Sequence, residues 1–195
     1  MLHGSSLSRR WFLVAMILSP SLALAHSGAH SAGFIHGLEH PISGLDHLLA
    51  MLAVGLWAVQ RGGRALWAVP LAFIGMMSLG GLLGLTGWNL PQFELGILSS
   101  VLILGVVVAL AVRLPVWQTA VVVGTLAVFH GFAHTVETPH AVSALTYNVG
   151  FLLSTAALHL GGIGLGVALA KIGQTQWLRL AGGAIALVGI GLFLQ

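Results

Sequence analysis

Residues 94–134 read ELGILSSVLILGVVVALAVRLPVWQTAVVVGTLAVFHGFAH. The charge at Arg113, next to Leu114-Pro115, divides them into two apolar runs, Glu94–Val112 and Val116–His134. Each is close to the roughly 20 residues a helix needs to cross a hydrocarbon layer about 30 Å thick. Outward from these two, the pattern recurs at Gly44–Val59, Ala65–Gly87, Ala141–Lys171 and Trp177–Leu194. The breaks carry turn signals: Arg61-Gly62-Gly63-Arg64, Trp88-Asn89-Leu90-Pro91, Thr138-Pro139 and Gly173-Gln174-Thr175. The fold expected is all-α, a polytopic membrane protein with six transmembrane helices.

Composition points the same way. The chain is 57% hydrophobic and 6% charged, with a mean hydropathy of +1.02, whereas a soluble domain carries about 25% charged residues. Four acids and seven cations cannot coat a water-soluble surface, so a soluble enzyme is excluded. A pI of about 10.7 would suit nucleic acid. Without residues 1–25, however, Lys and Arg fall from 7 to 5 against 4 acids, which leaves +1 and no basic patch to grip phosphates. The absence of cysteine excludes disulfides, thiolate metal sites and iron–sulfur clusters. Ten histidines against four acids is the anomaly.

Residues 1–25 resemble a cleaved signal peptide: Arg9-Arg10, an apolar run Trp11–Leu18, Pro20, then Ala23-Leu24-Ala25 as a small-x-small cleavage site. The alternative is an uncleaved seventh helix, and Ser8-Arg9-Arg10-Trp11-Phe12-Leu13 also resembles a twin-arginine signal. The organisation expected is therefore a leader at 1–25, a periplasmic His-rich segment at 26–43 and a six-helix membrane domain at 44–195. Arg61, Arg64, Arg113, Lys171 and Arg179 fall in or beside the odd connections, and the second and fourth connections hold no Lys or Arg. The positive-inside rule then makes the odd connections cytoplasmic and both termini periplasmic. Gly80 and Gly84, and Gly162 and Gly166, have the four-residue spacing that lets membrane helices approach closely.

This topology sends His26, His30, His36, His40, His47, His130, His134 and His140 to the outer face, with Glu39, Asp46 and Glu137. Imidazole and carboxylate are ligands for borderline divalent ions such as Ni²⁺, Co²⁺, Zn²⁺ and Cu²⁺. On the fourth span His130, His134 and Glu137 share one stripe, and the first two have the i, i+4 spacing that chelates one ion. On the first span, His40 precedes Pro41, which disfavours helix at His40 and suits a first helical turn, so His40 is expected as a cap or loop ligand above Asp46 and His47. Those two are neighbours about 100° apart, so that one binds directly while the other supports it. An incomplete shell is expected from His47, His130 and either Asp46 or His134, completed by water. Asn148, Thr155 and His159 form a deeper polar stripe on the fifth span, with His159 nearer the cytoplasmic end. Each of these histidines also has a plainer role open to it, hydrogen bonding between helices, and the outer ones serve equally as a solvated linker.

His40-Pro-Ile-Ser-Gly-Leu-Asp46-His47 and Phe129-His130-Gly-Phe-Ala-His134-Thr-Val-Glu137 resemble the two signature segments of the HupE/UreJ family. Its members are bacterial inner-membrane proteins regarded as nickel, sometimes cobalt, permeases for hydrogenase or urease maturation. The first motif is matched in full. The second departs at Thr135, where the family commonly has glycine. The resemblance covers nearly the whole chain, and it implies that His40, Asp46, His47, His130, His134 and Glu137 act in transport; the residue reading itself adds His36 in the outer segment and His159, deeper, as further metal positions. The resemblance also implies an inner-membrane location, a divalent ion as cargo rather than a prosthetic group, and no catalysis.

There is no Walker phosphate loop, so this chain does not hydrolyse ATP. A dication gains about 4.6 kcal/mol on entering a cell across 100 mV, at about 2.3 kcal/mol per charge. Two competitors are a membrane-embedded zinc hydrolase with an open water position, against which the absence of H-E-x-x-H counts, and a b-type cytochrome with paired axial histidines.

Overall fold

The computed structural model describes residues 28–138, 143–172 and 175–194. The leader expected at 1–25, together with His26 and His140, lies outside them. Among the described residues all regular structure is helical: α1 Gly28–Ser43, α2 Leu45–Arg61, α3 Ala65–Leu85, α4 Phe93–Ala109, α5 Val116–Glu137, α6 Ala144–Lys171 and α7 Thr175–Phe193. Helices α2 to α7 fall on the six apolar stretches. By length and composition α3, α5, α6 and α7 suffice to cross a membrane, and α1 and α2, bent by 77° at their junction, meet the same test only when taken together. Helix α4 is apolar but has 17 residues, about 26 Å at 1.5 Å per residue, the short end of the spanning range.

Helix α2 is the central one. Ala50, Met51, Ala53, Val54, Leu56, Trp57 and Ala58 are all buried, so that every face of it meets protein, as befits a helix that is apolar all round. It packs against α4 and α6, while α3 lies along α5, α4 along α7 and α1 along α6. The outer helices instead expose large apolar side chains, among them Trp67, Leu71, Leu82, Val121, Leu160 and Leu187. In water such a surface would be unfavourable, and in hydrocarbon it is the expected one. The spaced glycines do close the crossings: Gly80 abuts the Val128 backbone, Gly84 abuts Thr135, Gly162 abuts Leu52 and Gly166 abuts Val59.

The C-terminal end of α4 shows how backbone polarity is satisfied where lipid offers no partner. Ala111 takes the left-handed conformation (φ 51°), Val112 N–H donates to Val107 O at 2.9 Å and Ala111 N–H to Val108 O at 3.1 Å, the Schellman pattern. Trp57 Nε1 then donates to Val112 O (3.1 Å), Gln60 Nε2 to Val108 O (2.9 Å) and Arg179 Nε to Ala109 O (2.8 Å). These bonds gather Arg61, Arg113 and Arg179 at one end of the bundle. The acids and most of the described histidines lie at the other.

One local expectation is corrected. Pro41 does not open a helix with His40 in the preceding loop. Helix α1 contains both and runs to Ser43, and the chain turns by 77° into α2 only at Gly44. Packing decides the matter over local preference: Gly37 sits against the Tyr147 backbone and Gly150 against Phe34 O, so α1 is held along α6 through its length. Gly44 itself is extended (φ −88°, ψ 117°), and a side chain there would lie 2.9 Å from Asp46 Oδ1 and 3.2 Å from His47 Nδ1, so glycine leaves room for that pair.

Candidate metal centre

Three imidazoles from three helices converge at the end of the bundle opposite the arginines. Ligand nitrogens of His40 (α1), His47 (α2) and His134 (α5) all lie within 4.8 Å of one another. Ring centroids are 4.7 Å apart for His40 and His134, 4.7 Å for His47 and His134, and 5.7 Å for His40 and His47. Two metal–nitrogen bonds of about 2.1 Å place their nitrogens at most about 4.2 Å apart, so closing this group on one ion needs movements below about 1 Å. Phe151 packs on His134 with ring centroids 3.5 Å apart and Tyr147 stands 6.0 Å from His40, so that α6 forms the apolar wall.

The other expected residues take distinct places. Asp46 Oδ1 accepts from both the backbone N–H and Nδ1 of His47, each at 2.8 Å. This carboxylate therefore supports its neighbour and sets its tautomer, which leaves His47 Nε2 buried without a partner. Glu137 Oε2 lies 3.8 Å from His40 Nε2 at the exposed rim. His36 is exposed one turn before His40 and lines, with Glu39 and Glu137, a side cavity of about 220 Å³.

His130 is not in the three-nitrogen group. Its ring stands 4.8 Å from that of His47, and Nε2 is 2.8 Å from Ser100 Oγ on α4. The pair His130 and His134 thus divides between two levels instead of forming one chelate. His159 lies deeper still, 1% exposed, with both ring nitrogens unpartnered. It sits just past the middle of its span: α6 begins at Ala144 and ends at Lys171, and at 1.5 Å per residue His159 is about 22 Å from the first and about 18 Å from the second. The Phe73 ring packs against both this imidazole and that of His130, with centroids 5.0 Å from His159 and 5.5 Å from His130. Asn148 is partly exposed on the α3-facing groove, and Thr155 is buried with an unpartnered hydroxyl. Thr135 turns away from the cluster: its hydroxyl donates to Gly81 O at 2.9 Å and fastens α5 to α3.

Glu94 was missed. It lines a cavity of about 410 Å³ with His40, Asp46, His47 and Glu137, and the signal for it was available, because Glu94 opens a span after a connection without Lys or Arg. Ser100 and Phe73 carry no comparable mark within their apolar runs.

Comparison with known proteins bears on most of the chain. A family model described as HupE / UreJ protein matches residues 14–192. Protein HupE of Rhizobium leguminosarum bv. viciae is 48% identical over 180 residues, covering 92% of this chain and 94% of that one. No solved structure matches the chain.

Proposed function

The chain belongs to the HupE/UreJ family, and from that premise we propose that it is a divalent-metal permease. Nickel is the leading cargo and cobalt the second, taken up across the bacterial inner membrane for hydrogenase or urease maturation. The single observation that carries the reading is the set of three ligand nitrogens from α1, α2 and α5 within 4.8 Å, beneath a cavity edged by carboxylates. Neutral imidazoles with carboxylates suit a borderline divalent ion. Three ligands from separate helices, with room for water, suit an ion that must also leave.

In this proposal α2 to α7 are the six spans, and α2 and α4, 17 residues each, cross at minimal length. The arginine end is cytoplasmic, the histidine end periplasmic, and residues 1–25 are a cleaved leader. The ion is captured at Asp46, Glu94 and Glu137, held by His40, His47 and His134, and moves inward past His130 towards His159. The membrane potential drives it, and no nucleic acid or prosthetic group takes part.

The test is uptake of radioactive nickel at trace concentration by cells expressing the chain, with cobalt, zinc and magnesium as competitors. Uptake above that of vector cells, competed by cobalt and not by magnesium, is expected. Uptake equal to vector cells for every ion rejects the proposal. Within it, exposed Glu94 acts through its charge across water. Glu94→Gln is expected to lower uptake about threefold at low ionic strength and to match the parent at about 1 M salt, where the screening length is about 3 Å.

A further inference from the structure

Ser100 is fully buried within α4. Its hydroxyl oxygen lies 2.6 Å from Ile97 O and 2.8 Å from His130 Nε2. Two oxygens at 2.6 Å are held by a hydrogen between them, and a carbonyl has none to give, so the Ser100 proton points to Ile97. What Ser100 offers His130 is a lone pair. The imidazole must then supply the hydrogen of their contact, which places it on Nε2 and leaves the lone pair on Nδ1. His130 Nδ1 is buried and has no hydrogen-bond partner. Asp46 imposes the opposite tautomer on His47, with hydrogen on Nδ1 and the lone pair on Nε2. The two adjacent rings are thus each left with one unpartnered nitrogen that carries a lone pair.

We infer that Ser100 is a positioning residue for transport: it fixes the tautomer of His130 so that Nδ1 accepts the cation moving inward from His40, His47 and His134. The inference rests on the permease reading. His130 suits this step by place, since its ring neighbours that of His47 and also that of Phe73, which in turn packs on His159. In the other tautomer Nδ1 carries a hydrogen and repels the ion, and the lone pair faces a hydroxyl.

The test has two arms. Nitrogen-15 spectra of metal-free protein labelled on histidine, with His130 assigned by the signal lost in His130→Gln, report which nitrogen bears the hydrogen. Nε2 is expected in the parent, a mixture in Ser100→Ala, and Nε2 again in Ser100→Thr. In the second arm, nickel uptake per membrane-inserted protein is expected to fall about 10- to 100-fold in Ser100→Ala and to recover in Ser100→Thr. Should Ser100→Ala fail to accumulate, Ser100→Cys, a weak acceptor of similar size, replaces it with the same expected direction. Hydrogen on Nδ1 in the parent overturns the inference, and so does a Ser100→Ala protein that changes tautomer yet transports at the parental rate. The spectroscopic arm contains no metal, so a failure of the permease reading is recognised separately.

Discussion

Replacing His134 by leucine is expected to reduce cation uptake about 100-fold or more while leaving the protein as stable as the parent, or more stable. His134 is 1% exposed, and neither ring nitrogen has a hydrogen-bond partner. A buried polar group without a partner costs about 1–3 kcal/mol, so an apolar side chain of similar size removes a penalty and keeps the contact with Phe151. The same change takes one of three ligands from the ion, more than the 10- to 100-fold that losing a ligand's support costs. A histidine that merely joined helices by hydrogen bonds would give the reverse: lower stability, with function following it. His47→Leu supplies the contrast. It strips the carboxylate of Asp46 of its side-chain hydrogen bond, so it is expected to lose stability as well as uptake. The readouts are uptake per inserted protein and the thermal midpoint in detergent. Parental uptake by the His134→Leu protein would remove the three-imidazole seat.

The helices were legible because the constraint that shapes them is local: about 20 apolar residues between turn signals suffice, and α2 to α7 fall on the stretches so marked. The pairing of Asp46 with His47 was legible for the same reason, since adjacent side chains need no knowledge of the rest of the fold. The grouping of His40, His47 and His134 was not. His130 and His134 do lie on one stripe, but four residues are also about 6 Å of helix, which brings one ring level with His40 and leaves the other a turn deeper beside Ser100. No sequence pattern states where α1 and α4 stand along α5, so neither partner could be assigned. Helix α1 shows the same limit. Pro41 argues locally against helix at His40, and the contacts of Gly37 on α1 with Tyr147 and of Gly150 on α6 with Phe34, each joining residues more than 100 apart in sequence, outweigh it.

Gly131→Ala is expected to be among the most damaging single changes to this protein, although it adds one methyl group. A side chain there would collide with Met77 O and come within 2.9 Å of Gly81 N, both backbone atoms of α3. Backbone atoms cannot rotate aside, so the helices themselves must separate. Overpacking of a tight interior costs about 1–3 kcal/mol. The upper part of that range applies here, because separation also pulls the Thr135 hydroxyl from Gly81 O and loosens the facing contact of Gly80 with Val128. His130 and His134 flank the crossing on α5, so the shift displaces a ligand and its deeper neighbour together, and uptake is expected to fall further than protein level. Gly75 on α3 is the control, since nothing lies within 4 Å of a side chain built there. Helical propensity favours alanine over glycine by about 0.8–1.0 kcal/mol, so Gly75→Ala is expected to be neutral or stabilising with full uptake. Thermal midpoints and uptake of the two variants decide the point: a Gly131→Ala protein as stable as Gly75→Ala would mean that α3 and α5 do not cross at this glycine, and the level assigned to the metal seat would fall with the crossing.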